Sequence, residues 1–182
     1  MISLSQYITE KNWDTYTKQM YDDPVKNAVW NYVAGYTTGV NNDLRAGKGG
    51  SKNVKKYLDQ AFVNKQELDV YRVVDWDYMK NIYNITPETL DNFIGKTITN
   101  KAYMSTTKKN TSVWGTTLDG DLYLHIVSKK PYPYIDINSV LPAEDIDCED
   151  QEEILLPRDT SLKILRYSQD KDGVYLIETE IV

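Results

Sequence analysis

From Pro24 onward apolar side chains return every three or four residues, at Val25, Val29, Tyr32, Tyr36, Val40 and Leu44. That spacing draws a stripe down one side of an α-helix, the side that faces a core. Asp22-Asp23-Pro24 is an acceptable start for it, and Asn41-Asn42-Asp43-Leu44-Arg45 an expected end. After the glycine-rich piece Gly47-Lys48-Gly49-Gly50-Ser51, a second helix is predicted through Val54, Leu58 and Phe62. Val70-Tyr71-Arg72-Val73-Val74 then reads as the first strand, and a third helical piece begins near Thr86-Pro87-Glu88. Beyond it the period shortens. Short β-rich runs follow at Lys101 to Thr106, Asp121 to Val127, Tyr134 to Ile137, Glu153 to Leu156, Ser161 to Tyr167 and Val174 to Val182, with Asp172-Gly173 marking a hairpin turn. Helices first and strands afterward predict an α+β domain, not an alternating parallel α/β one. Neither a repeat nor a linker divides the chain, so a single catalytic or binding domain over residues 1–182 is expected.

Composition narrows the chemistry. The 182 residues suffice to bury roughly 70% of the unfolded surface without staples. Cys148 is the single cysteine and His125 the single histidine. Together they leave no Cys/His cluster for a zinc site, so no metal is expected, and His125 reads as a strand residue within Leu122-Tyr123-Leu124-His125-Ile126-Val127. Lys plus Arg number 21 against 27 Asp plus Glu, a net charge of -6 with no basic block. That balance disfavours general nucleic-acid binding. No apolar run approaches membrane-spanning length, and Met1 to Gln6 has neither a basic start nor an apolar core, so a soluble chain is expected. The 15 tyrosines against 2 phenylalanines supply amphipathic rings able to line a ligand cleft. The Gly47 to Ser51 piece lacks the residue order of a phosphate loop and follows a helix, so it reads as an inter-helix connection.

Gln151-Glu152-Glu153 stands directly before the apolar Ile154-Leu155-Leu156. In extended backbone residues two apart point to one face, so Gln151 and Glu153 would share a cleft while Glu152 looks away. Two other pieces join them: Tyr71-Arg72 on the first strand and Tyr103-Met104-Ser105-Thr106-Thr107 at the end of another. An arginine, a Ser-Thr-Thr turn and a Gln/Glu pair suit a substrate that carries phosphates, an amide and a ribose, and NAD has all three.

In this order the pieces resemble the ADP-ribosyltransferase toxin family, most closely the clostridial Rho-modifying exoenzymes that carry Gln-x-Glu. Asn41 to Arg45 is similar to that family's Asn-x-x-Leu-Arg helix end, Tyr71-Arg72 to its first-strand arginine, and Tyr103 to Thr107 to its aromatic-x-Ser-Thr-Ser motif. Tyr134-Ile135-Asp136 followed by Gln151-x-Glu153-Ile154-Leu155-Leu156-Pro157-Arg158 resembles the segment with its catalytic glutamate. The resemblance implies two small antiparallel or mixed β-sheets around an NAD cleft, with helices packed on the N-terminal side. It also implies NAD as co-substrate, with Arg45 and Arg72 on the phosphates and Asn41, Tyr71, Ser105, Thr106 and Trp114 lining the rest. Glu153, Gln151 and Ser105 form the catalytic set: Glu153 stabilises the positive charge that develops on the ribose, Ser105 positions Glu153, and Gln151 orients the acceptor.

An amide at position 151 matches an asparagine acceptor, whereas a carboxylate there would suit a guanidinium. The resemblance further implies a toxin or exoenzyme, monomeric, secreted or delivered into a host cell, whose partner is a host protein such as a small GTPase. An NAD glycohydrolase, or an inactive NAD-binding module of the same fold, are the alternatives. Three departures stand out. Val73 follows Arg72 where the family has glycine, and Thr117 stands where the relatives have a second phosphate arginine, leaving Lys108 or Lys109 as replacement cations. The stretch Leu141 to Asp150 is acidic through Glu144, Asp145, Asp147, Glu149 and Asp150, which predicts a partner with a basic surface.

Overall fold

The computed structural model of the protein describes residues 19–35, 38–48, 52–108, 122–145 and 152–182. The first helix, α1 (Pro24–Val33), starts where the sequence predicts: the Asp23 carboxylate accepts from the backbone N–H of Val25 at 2.8 Å and of Lys26 at 3.3 Å, ahead of a proline in the first turn. The apolar stripe is buried as expected at Val29, Val40 and, further on, Leu58. It does not lie on one helix, however. α1 ends at Ala34-Gly35, where Gly35 adopts φ 75°, and α2 (Thr38–Arg45) begins anew. Glycine is the residue for which this left-handed conformation costs nothing sterically, and the N–H groups of Ala34 and Gly35 turn back onto the carbonyls of Trp30 and Tyr32. The break lets two side chains from different helices meet, the Asn41 amide donating to the Tyr32 hydroxyl at 3.0 Å.

After α3 (Lys52–Gln60) come β1 (Asn64–Gln66) and β2 (Asp69–Val74). A helix not foreseen in the sequence follows at once, α4 (Trp76–Tyr83). Its ends are specified locally: Asp75 accepts from the Tyr78 N–H at 2.6 Å, and Asn84 closes it at φ 57°. The helical piece expected near Thr86 is a 3-10 segment, Pro87–Phe93. The remaining strands are β3 (Thr97–Asn100), β4 (Met104–Thr107), β5 (Leu122–Val127), β6 (Tyr132–Asp136), β7 (Glu153–Leu156), β8 (Thr160–Gln169) and β9 (Tyr175–Ile181), with the short helix α5 (Ile137–Val140) after β6. The hairpin at Asp172-Gly173 is present, Gly173 at φ 87° and the Asp170 carboxylate accepting from the N–H groups of Asp172 and Val174.

The architecture is α+β, and its strands run in the order β1-β6-β7-β4-β2-β5-β9-β8-β3. The two small sheets anticipated from the sequence are thus joined. β1-β6-β7-β4 meets β2-β5-β9-β8-β3 through one residue pair, Tyr71 opposite Thr107. β5 and β9 pair in parallel, so the second half is mixed. Two buried clusters sit on the two faces. Val70, Val74, Met79, Met104, Ile154 and Leu156 belong to one, and Val29, Val40, Leu58, Tyr103, Ile135 and Leu155 to the other, beneath the N-terminal helices. β7 alternates between them, so Ile154, Leu155 and Leu156 are all fully buried, and a strand covered on both faces reads as a continuous apolar run.

Candidate active site

At the seam between the two halves the ladder gives out, and side chains take over its hydrogen bonds. Along β4 and β7 the backbone pairs Thr107 with Glu153 and Ser105 with Leu155. The Ser105 carbonyl accepts instead from Arg72 Nη1 at 2.6 Å. Arg72 on β2 therefore bridges to the strand carrying Ser105, and Ser105 and Glu153 lie on the same face of adjacent strands. The Ser105 hydroxyl and the Arg72 charge both act on the Glu153 carboxylate. Both favour the ionised form, but burial outweighs them and holds the Glu153 pKa above the usual carboxylate range.

Tyr32, read in the sequence as one more member of the helical stripe, belongs to this cluster. Its hydroxyl interacts with Ser105 and Asn41 and lies within electrostatic reach of Arg72 and Glu153, while burial raises its pKa. Nothing in the spacing separates such a tyrosine from a core residue, because its ring is a core residue: it packs edge-on against Tyr103 at 5.9 Å. Asn41 fills a joining role. Besides its bond to Tyr32 it accepts from the Tyr103 N–H at 3.2 Å, so both ends of its amide are engaged within the protein.

Arg45, in the last turn of α2, and Arg72 both lie over the ring of Tyr78 on α4, their guanidinium carbons 5.5 and 5.4 Å from its centroid. The Nε of each arginine is buried and has no hydrogen-bond partner among the described residues. Two like-charged guanidinium groups over one ring, each with an unpaired Nε, are an energetic cost that an anionic oxygen ligand beside them would offset. The donor set fits a diphosphate, for which planar guanidinium groups are well shaped.

Other expected residues are placed differently. Tyr71 alternates away from Arg72 along β2, and its ring stacks on His125 at 4.6 Å and 5°, His125 in turn bonding to Asp69 at 2.8 Å. Thr106 is buried and its hydroxyl donates to the Ile154 carbonyl at 2.7 Å, which fixes β4 against β7. Lys108, considered a replacement phosphate cation, pairs with Asp136 at 2.7 Å. Gln151, Trp114, Thr117 and Lys109 lie outside the described residues.

The backbone at Glu152 corrects one step of the sequence reasoning. Projection of Gln151 and Glu153 to one face requires extended backbone between them, but Glu152 has φ 47° and β7 begins only at Glu153. Strand alternation therefore does not fix the direction of the residue before Glu152. A carbonyl bond from the Lys108 N–H at 3.3 Å holds Glu152 in this left-handed conformation, which a non-glycine residue adopts at a cost of about 1 kcal/mol.

A carboxylate, a serine and two arginines gather at the seam of the two sub-sheets, in a chain of the transferase class: it belongs to the ADP-ribosyltransferase exoenzyme family, whose model matches residues 9–182. No curated protein sequence matches the chain significantly. Among solved structures it is similar to the C3 exoenzyme of Clostridium limosum, at 19% identity, TM-score 0.71, and 94% and 95% coverage of this chain and that one. It is also similar to an ADP-ribosyltransferase of Clostridium botulinum, with 19% identity, TM-score 0.68 and coverage of 100% and 96%. A protein of S. aureus, solved with NAD, superposes at TM-score 0.66, with 17% identity and coverage of 100% and 97%. These likenesses carry the fold, and the family match carries the class.

Proposed function

We propose that the protein is an NAD-dependent mono-ADP-ribosyltransferase that removes nicotinamide from NAD and transfers ADP-ribose to a side chain of a host protein, asparagine being the favoured acceptor. The observation that supports this most is the partly buried Glu153 carboxylate under the influence of Ser105 and Arg72, in a group with Arg45, the Nε atoms of both arginines lacking partners among the described residues. Bound NAD supplies a glycosidic bond whose leaving group departs as a neutral molecule, so no general acid is required. Arg45 and Arg72 would hold the diphosphate. Ser105 and Tyr32 would keep the Glu153 carboxylate in one orientation, and that carboxylate, ionised, would stabilise positive charge growing on the ribose. A single such electrostatic contact is worth about 3 to 4 kcal/mol, or ~10²–10³ in rate.

Gln151 would meet the acceptor. Its amide can donate to and accept from an asparagine amide, which loses a proton as its nitrogen bonds to the ribose carbon. Trp114 is assigned to nicotinamide packing, and the whole of residues 1–182 to a single transferase domain. The acidic residues around Glu144 and Asp145 favour a target with a basic surface, such as a small GTPase, and the family membership favours a toxin that is secreted or delivered into host cells. The reading is tested by pairing two variants. Glu153→Gln should lose NAD hydrolysis and transfer together, while Gln151→Ala should keep hydrolysis and lose transfer to protein in host lysate. Equal loss of both activities in Gln151→Ala sinks this division of labour. Hydrolysis with no labelled protein in any lysate would make the enzyme a glycohydrolase, and mass spectrometry of a labelled band identifies the acceptor.

A further inference from the structure

The two arginines at the seam come from separate elements, the end of α2 and the middle of β2, and what they share is one aromatic ring. We propose that Tyr78 is a positioning residue of the diphosphate subsite, its ring face holding the Arg45 and Arg72 guanidinium groups in the spacing that receives a diphosphate. The inference rests on the reading of the site as an NAD cleft.

Three observations carry it. First, both guanidinium carbons lie within 5.5 Å of the same centroid, inside the ~6 Å range in which the negative face of a ring attracts a cation. A shared ring offsets part of the repulsion that two like charges would otherwise feel before an anion arrives. Second, neither arginine forms a salt bridge among the described residues: Arg72 donates to the Ser105 carbonyl, with the Glu153 charge in electrostatic reach, and Arg45 has only a 3.5 Å contact to the Asn42 side-chain oxygen. With no carboxylate bonded directly to either, the ring is the support they share, and an aromatic support does not compete with phosphate as a bonded carboxylate would. Third, the Tyr78 hydroxyl is buried and makes no hydrogen bond of good geometry among the described residues, its polar neighbour being Tyr83, so the ring and not the hydroxyl is the working part. The placement is rigid. Tyr78 sits in the first turn of α4, where its N–H is bonded to the Asp75 carboxylate at 2.6 Å, and its ring packs edge-on against Tyr83 at 6.0 Å.

The role predicts an effect on binding rather than on bond breaking, since Tyr78 does not touch Glu153 or the reacting carbon in this account. Calorimetric binding of NAD to the full chain, with initial rates of NAD hydrolysis alongside, tests it. Tyr78→Phe should stay within about twofold of the wild type in Kd, and Tyr78→Leu should weaken Kd and KM roughly tenfold with kcat within about threefold. Because leucine could disturb α4, the deciding series keeps the ring: phenylalanine at position 78 bearing one, two and then three fluorines, which preserves shape and progressively weakens the ring's hold on cations. Kd for NAD should rise stepwise along the series. A flat series, or a fall in kcat at constant KM, overturns the role of Tyr78. If the folded wild type itself binds no NAD, the reading of the cleft falls first, so the two failures are distinguishable.

Discussion

In the proposed mechanism Glu153 acts as a charged group, yet burial resists its charge. The sign follows directly. A carboxyl whose folded-state pKa lies above its unfolded value favours folding while protonated, and that contribution is lost as pH rises through the folded value. At neutral pH the ionised Glu153 therefore costs stability, and Glu153→Gln should raise the melting temperature at about pH 7 while cutting activity roughly 10²–10³-fold, the gain in stability shrinking as pH is lowered into the carboxylate range. A lower melting temperature at neutral pH would contradict this. Activity in the wild type should fall on the acid side at a higher pH than an ordinary glutamate would give. Tyr32 makes a second case at this scale. Tyr32→Phe keeps the ring contact with Tyr103 but removes the oxygen shared by Asn41 and Ser105, so it should cost about 1 to 2 kcal/mol in denaturant unfolding and lower kcat more than it alters KM.

Among the elements, β7 and its approach matter most. The turn into β7 depends on left-handed backbone at Glu152, held by Lys108, whose side chain pairs with Asp136 on β6. Glu152→Gly should retain hydrolysis because glycine adopts φ 47° without strain, whereas Glu152→Val should destabilise by about 1 to 2 kcal/mol and impair hydrolysis by shifting the start of the strand. Equal activity in both variants would show that this conformation is incidental. β7 was legible from the sequence, residue for residue, because three fully buried apolar side chains in a row carry an unambiguous signal. The division between α1 and α2 was not, since the apolar stripe continues across Gly35 and a glycine in a helical pattern is tolerated often enough to hide a break. α4 was missed because it is eight residues long and starts immediately after a strand, its caps at Asp75 and Asn84 being its main local marks.

For the molecule as a whole, the seam is the decisive feature. Four strands and five meet through the single pair Tyr71 and Thr107, and Arg72, Ser105, Glu153, Tyr32 and Arg45 gather around that junction from five different elements. The sequence motifs named four of these five residues, because each motif carries a chemically distinctive side chain on an otherwise regular strand or helix. They did not name Tyr32 or the support at Tyr78, whose roles arise only when α1, α2 and α4 are brought to the same place. Tyr71 shows a related limit of motif reading: neighbours along a strand face opposite ways, so a motif that joins Tyr71 to Arg72 unites two sides of the sheet. The central claim is that this junction breaks NAD with Glu153 as its charged group. Release of nicotinamide from NAD by the purified full chain, wild type beside Glu153→Gln, tests it most directly. The account predicts steady release by the wild type and a loss of roughly 10²–10³-fold in a variant that remains folded; equal rates in the two proteins, or no release and no transfer by the folded wild type, would contradict it.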